Sequence, residues 1–333
     1  YTKDLGKITG SWGWLSIVVS TAIALLTTYI IVHLGFLYEN KTLDEYSKLI
    51  IGKYISYIFV FLYIVYFFLV FTYITRILTE VIKLTILFNT PIWALMILIL
   101  LVVYYAITKG IIGLARLCEI YGFIIIIVSF LVFLLIFTQG KYINLRPFLV
   151  LRDFNKYLKA VTLVIPFLGI EILTILPIKK KLNTSIYKYL AIMLLIIGLL
   201  YILEYFACLS IIGIEDIVYY KNALIAVVRR VDLPFLQFLE RIDGIVISIW
   251  IMATFCTISI FSYGTVFYLK KVFKNIKFNF LGLIVITTSF IMGQIPNTFE
   301  EVEKVIQYAG FLGVITSLVI PLTLFIVSKV KNS

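Results

Sequence analysis

Residues 120–140, IYGFIIIIVSFLVFLLIFTQG, run from Ile120 to Gly140 without an Asp, Glu, Lys or Arg. At 1.5 Å of rise per residue, an α-helix of this length spans about 30 Å, the thickness of a bilayer's hydrocarbon core. Its Leu, Ile and Phe residues are dense and do not alternate with polar ones, so the segment reads as a membrane helix rather than a barrel strand. Outward from it, charge-free runs recur at 8–38, 54–75, 84–108, 244–269, 278–299 and 305–328. Two more runs are interrupted by one acid each, 160–178 by Glu171 and 189–214 by Glu204.

The pattern predicts an all-α membrane protein with one transmembrane domain over residues 1–333. Its nine transmembrane helices fall near 13–37, 55–76, 90–108, 119–139, 160–178, 187–209, 244–269, 279–296 and 306–328. Composition agrees, because 62% of the 333 residues are hydrophobic and 14% are charged, where a soluble domain carries about 25% charge. A water-soluble globule with so little charge would leave large apolar patches facing solvent. The net charge of +12 does not point to nucleic acid, because the basic residues lie between apolar runs instead of along one polar face. Basic residues are nearly balanced between the two sets of connections but denser in the shorter set, which places the C-terminus in the cytoplasm.

Other chemistries find little support. Cys118, Cys208 and Cys256 are scattered, His33 is the sole histidine, and no CxxC is present, so neither a disulfide scaffold nor a metal site is expected. The sequence has no Walker loop, GxGxxG, HExxH or GxSxG, which argues against an enzyme and against a cofactor. No cleavable signal peptide is apparent, and a chain starting at Tyr1 is expected to lack N-terminal sequence.

Between spans, Thr42-Leu-Asp-Glu45 fits a capping box and predicts a short helix over 43–54 on the inner face. Residues 216–241 read as a pair of outer interfacial helices forming a lid, and 144–160 as a shorter counterpart.

The functional signal is concentrated in Ile165-Pro-Phe-Leu-Gly-Ile-Glu171. Pro166 removes a backbone donor and Gly169 tolerates unusual dihedrals, so the helix is expected to break around Pro166, Phe167, Leu168 and Gly169. At membrane depth a break lines a cavity, where free amides hold a carboxylate and free carbonyls hold a cation; a plain proline kink is the other reading. Glu171 follows at once, and an acid inside a span must be paired, protonated or hydrated. Glu119 and Glu204 are weaker cases, explained equally well near the membrane edge. Trp250, Thr254 and Thr257 share one helical face with Ile247 and Phe261, and Tyr63, Tyr66 and Phe67 share another. Either stripe could line a ligand pocket or simply pack helices.

Several phrases taken in order resemble a known family: TLDEYSKLIIGK from Thr42, Thr90-Pro91, GIIGLARLCEI from Gly110, PFLGIE from Pro166 and ERIDGIVISIW from Glu240. Together they are similar to the B subunit of spore-germination nutrient receptors, the GerAB type, which itself resembles amino-acid permeases of the APC superfamily. The resemblance implies a LeuT-type fold of two inverted five-helix repeats, with ten spans of which the first is absent from this chain. PFLGIE then becomes span six, the first of the second repeat. It further implies a small nutrient, often an amino acid, as ligand, receptor A and C subunits as partners, and the spore inner membrane as location. A proton- or sodium-coupled amino-acid transporter is the alternative function on the same fold, and a structural membrane subunit with a vestigial site is a third.

Overall fold

The described parts of the charge-free runs are mostly α-helical. The computed structural model describes residues 5, 6, 9, 12–145, 167, 169–179, 185–217, 219, 220, 223–230 and 242–332. In chain order the helices are α1 (Gly13–Leu37), α2 (Leu43–Ile51), α3 (Lys53–Thr85), α4 (Ile92–Thr108), α5 (Gly110–Gln139), α6 (Ile186–Ile212), α7 (Ile214–Ile217), α8 (Ala223–Val228), α9 (Ile242–Val272), α10 (Phe278–Gln294), α11 (Phe299–Val314) and α12 (Ile320–Asn332). Short 3-10 helices occupy Tyr142–Leu145 and Ile170–Ile175, and a π-helical turn, Ile315–Val319, joins α11 to α12. The described residues contain no strand.

Six stretches are long and apolar enough to cross a membrane: Gly13–Leu37, Lys53–Thr85, Gly110–Gln139, Ile186–Ile212, Asp243–Val272 and Phe299–Lys331. The apolar helices α4 and α10 are shorter, at 17 residues each, which sits at the lower edge of what a bilayer requires. The first part of the span expected at 160–178, residues 160–166 and 168, lies outside the described residues. Its described end, Ile170–Ile175, is 3-10 and not α-helical.

The short helix that follows Thr42 ends earlier than the sequence reading places it. α2 stops at Ile51 and not at residue 54, because Gly52 takes φ +85° and the chain restarts as α3 at Lys53. Its N-terminus is held by Glu45, whose carboxylate accepts the Thr42 N–H at 3.2 Å. The Thr42 hydroxyl meanwhile donates to Asp44 at 2.6 Å. Of the lid expected at 216–241, α8 and the end of α7 are described and helical; residues 218, 221, 222 and 231–241 lie outside the described residues, as do 146–160.

The chain divides into two compact units. One comprises Tyr1–Leu26, Gly122–Phe167 and Lys188–Met252. Its core gathers Ile17, Phe133, Ile136, Tyr205, Cys208 and Val227. Close approach there depends on small residues: a Cβ on Gly13 would meet the Tyr205 ring at 2.4 Å, and one on Gly198 would meet Thr21 at 2.6 Å.

The other unit comprises Thr27–Tyr121, Leu168–Tyr187 and Ala253–Ser333. Within it α3 packs against α2, α4, α10 and α11, and its buried face carries Tyr63, Tyr66, Phe67 and Phe71. Arg76 and Glu80 form a buried pair on α3 at 2.8 Å. The Arg76 guanidinium also donates to the carbonyls of Gly293 and Pro296, each at 3.4 Å. Those acceptors lie at the C-terminal end of α10, where carbonyls have no helical partner.

Candidate functional site

Gly169 opens the site. It has φ +122° and ψ −17° and precedes the 3-10 helix Ile170–Ile175. A Cβ there would meet nothing within 4 Å, so it is the backbone angle, not crowding, that calls for glycine. The amide it presents is a first-turn donor with no helical acceptor, and Glu171 takes it: Gly169 N donates to Glu171 Oε2 at 2.5 Å. This is the local chemistry that the PFLGIE phrase encodes. An acid two residues after the glycine reaches back to the exposed amide and to the positive end of the short helix.

The other carboxylate oxygen faces α3. Tyr66 Oη donates to Glu171 Oε1 at 3.4 Å, and Glu171 and Tyr66 are both fully buried. Aromatic rings close around the pair. Phe261 of α9 meets Tyr66 edge-on at 5.8 Å and Phe67 at 5.3 Å. Tyr63 packs on Phe67 and on Tyr268. Gly264 lets α9 come close, since a Cβ there would lie 2.5 Å from the Phe67 ring.

Two further hydroxyl contacts tie the break to its surroundings. Thr174 donates to the Glu171 carbonyl at 2.6 Å and shares a 2.8 Å hydrogen bond with Tyr268. Tyr63 Oη donates to the Thr316 carbonyl at 2.6 Å. That carbonyl belongs to the π-turn Ile315–Val319, where the usual i to i−4 ladder is interrupted and acceptors are exposed to side chains. A buried carboxylate, three buried tyrosines and two irregular backbone segments therefore meet inside one unit.

Of the residues singled out from sequence, Tyr66 and Gly169 each contact Glu171, one at each carboxylate oxygen. Pro166 and Leu168 lie outside the described residues. Phe167 is buried and stacks edge-on to Tyr201 at 6.0 Å, within the first unit. Trp250 also belongs to that unit, while Thr254 and Thr257 belong to the second. All three lie on α9, where Thr254 is buried and Thr257 Oγ1 donates to the Ala253 carbonyl at 3.1 Å. Sequence reasoning missed Thr174, Tyr268 and the Thr316 carbonyl. Tyr268 was within reach, because it falls seven residues after Phe261 and continues the stripe already recognised on α9.

A separate cleft of about 350 Å³ lies in the first unit at the corner between α6 and α7, lined by Asn144, Gly213, Glu215 and Asp216 among others. It contains none of the ligand-binding residues selected from sequence.

Comparison with known proteins gives a consistent result. Residues 5–302 match a family described as Spore germination protein. Spore germination protein YndE of Bacillus subtilis strain 168 is 26% identical over 320 residues, covering 95% of this chain and 87% of that protein. Spore germination protein A2 of the same organism is 27% identical over 327 residues, covering 96% and 87%. Spore germination protein KB, again from that organism, is 26% identical over 277 residues, covering 81% and 73%.

Proposed function

This chain belongs to the spore germination protein family, and from that premise we propose that it is the nutrient-sensing membrane subunit of a germinant receptor. It binds a small molecule carrying a cationic amine, an amino acid or similar nutrient, and passes the change to receptor A and C subunits in the spore inner membrane. The fold we propose is the LeuT-type pair of inverted five-helix repeats, with nine spans in this chain, the C-terminus in the cytoplasm and the Ile170–Ile175 segment as the broken part of span six.

One observation carries the binding assignment: Glu171 is a fully buried carboxylate at a helix break, ringed by Tyr66, Phe67 and Phe261. An isolated buried carboxylate is costly unless paired, so the site is suited to receive a cation. The aromatic faces around it add cation–π attraction for an ammonium group. Thr254 and Thr257, in the same unit as Glu171, complete the proposed ligand contacts.

The same site would serve a proton- or sodium-coupled transporter, and measurement separates the two. Reconstituted protein should show amino-acid-dependent thermal stabilisation without accumulating labelled amino acid inside liposomes. Uptake driven by a proton or sodium gradient would assign transport, and absence of any ligand-dependent shift across an amino-acid panel would remove the binding site.

A further inference from the structure

In the second unit, lysines gather where α4 ends and α10 begins. The two helices pack against each other in antiparallel register: Tyr104 Oη donates to the Asn279 carbonyl at 3.3 Å near this end, and Gln294 Nε2 lies 3.4 Å from Met96 Sδ nearer the other. Lys109 is the single residue between α4 and α5, and Lys277 is the N-cap of α10. Lys274 lies in the turn that leads from α9 into α10. Lys270, in the last turn of α9, donates to the carbonyls of Lys274 and Ile276 at 2.6 and 2.8 Å and so joins the same group.

This charge is not offset by its surroundings. Asp44 and Glu45, the acids that contact the end of α9, are engaged by Lys271 and Lys48. Among the described residues, none of Lys109, Lys270, Lys274 and Lys277 has an ion-pair partner. Lys109 lies over the Tyr105 ring at 4.6 Å, which holds the ammonium near the helix without neutralising it. Helices α5 and α10 both start at this end and neither carries an acid in its first turn, so their dipoles add to the positive potential. Apolar side chains border the charge: Phe273 in the turn, Phe280 at the start of α10 and Ile112 at the start of α5 are each at least half exposed.

We propose that Lys109, Lys270, Lys274 and Lys277 form a binding site for the headgroup of an anionic phospholipid, whose acyl chains continue along the neighbouring apolar helices. The lysines supply charge to the phosphate, and the apolar border meets the region where headgroup gives way to chain. A soluble acidic partner would match the charge and leave that border facing water, which is why lipid is the better fit. The assignment stands apart from the proposed receptor function, since it uses none of the residues around Glu171.

The experiment titrates the purified full chain in detergent with dioleoylphosphatidylglycerol or with zwitterionic dioleoylphosphatidylcholine and counts bound lipids by native mass spectrometry. The phosphatidylglycerol should bind in preference, and the preference should weaken as the ammonium acetate concentration is raised. Lys109, Lys274 and Lys277 are exposed, so Lys109→Gln, Lys274→Gln and Lys277→Gln combined leave the packing intact. The combined variant should lose about tenfold or more in affinity for phosphatidylglycerol, since a lysine at an anionic surface contributes about fivefold, with phosphatidylcholine binding unchanged. Lys329→Gln with Lys331→Gln, which removes charge from the end of α12 instead, should keep the wild-type preference. Equal phosphatidylglycerol affinity in wild type and the combined variant, or an equal loss in the α12 variant, overturns the site. A soluble polyglutamate peptide that binds wild type and not the combined variant, while lipid binding is the same in both, overturns the lipid assignment in favour of an acidic partner segment.

Discussion

Tyr66 and Glu171, 105 positions apart in the chain, meet inside one unit with the Tyr66 hydroxyl 3.4 Å from Glu171 Oε1. The tyrosine is fixed by a regular helix and the acid by an irregular one. The glutamate's second oxygen is held closely by the Gly169 amide, while the tyrosine contact is long for a hydrogen bond between oxygens. The longer contact is the one a ligand amine can displace, because giving it up leaves the backbone break intact. The predictions below separate the parts of this arrangement that hold the protein together from the part that responds.

Gly169→Ala tests the break. At φ +122° an alanine is strained even though nothing stands within 4 Å of its Cβ. The cost is expected at about 1 to 3 kcal/mol. The variant should show lower membrane abundance or a lower thermal midpoint in detergent; wild-type values for both would mean that the segment relaxes to a different conformation.

Arg76 and Glu80 predict a structural role with no part in sensing. Arg76→Met leaves Glu80 buried without its partner and frees two carbonyls near the end of α10, a loss of about 3 to 5 kcal/mol. Adding Glu80→Leu should recover most of it, since replacing both members of a buried pair removes the unpaired charge. Thermal unfolding of the single and double variants in detergent checks this, and a double variant no better than the single one would refute it.

How much of this was legible in the sequence follows from the range of the interactions. The Gly169–Glu171 contact spans two residues, and its Pro, Gly and Glu announce it locally. The Thr42–Glu45 cap spans three, and Gly52, which ends α2 before the predicted boundary, was likewise visible as a glycine. Tyr63 and the Thr316 carbonyl, by contrast, are 253 residues apart, and the π-turn that presents that carbonyl has no apolar pattern distinguishing it from an α-helix. Thr174 reads as an ordinary hydroxyl until Tyr268, 94 residues away, is placed against it. Apolar periodicity locates helices, but when nearly every position is apolar it does not choose which face meets which.

Glu45 predicts a modest acid sensitivity at the end of α9. Partial burial raises its pKa, but the 2.7 Å ion pair with Lys271, the Thr42 N–H and the nearby Lys48 outweigh burial and leave it below the usual 4.5. A group with a depressed folded pKa stabilises fully above its unfolded pKa and loses that contribution as pH falls through the folded value. Asp44 also faces Lys271, at 3.7 Å, and is unchanged in Glu45→Gln. Because the Glu45 side chain is 44% exposed, the gap between wild type and Glu45→Gln should be no more than about 1 kcal/mol at pH 6. It should narrow below pH 4. A gap that widens on acidification would contradict the assignment.

Glu171→Gln and Tyr66→Phe together distinguish a responsive charge from a structural one. Glutamine keeps the size of the side chain and an oxygen for the Gly169 amide, so assembly and membrane abundance should remain near normal. What it removes is the negative charge, and a charged hydrogen bond to a ligand amine contributes about 1.5 to 3 kcal/mol. The germinant concentration for half-maximal response should therefore rise by about tenfold or more. Tyr66→Phe keeps the ring against Phe67 and Phe261 and deletes only the hydroxyl, whose 3.4 Å contact is weak. It frees Oε1 for the ligand, so the response should shift far less than in Glu171→Gln and in the direction of greater sensitivity. If Glu171→Gln responds normally across the germinant range, the charge has no part in sensing. If the protein instead disappears from the membrane, Glu171 serves to hold the break together and the binding assignment fails.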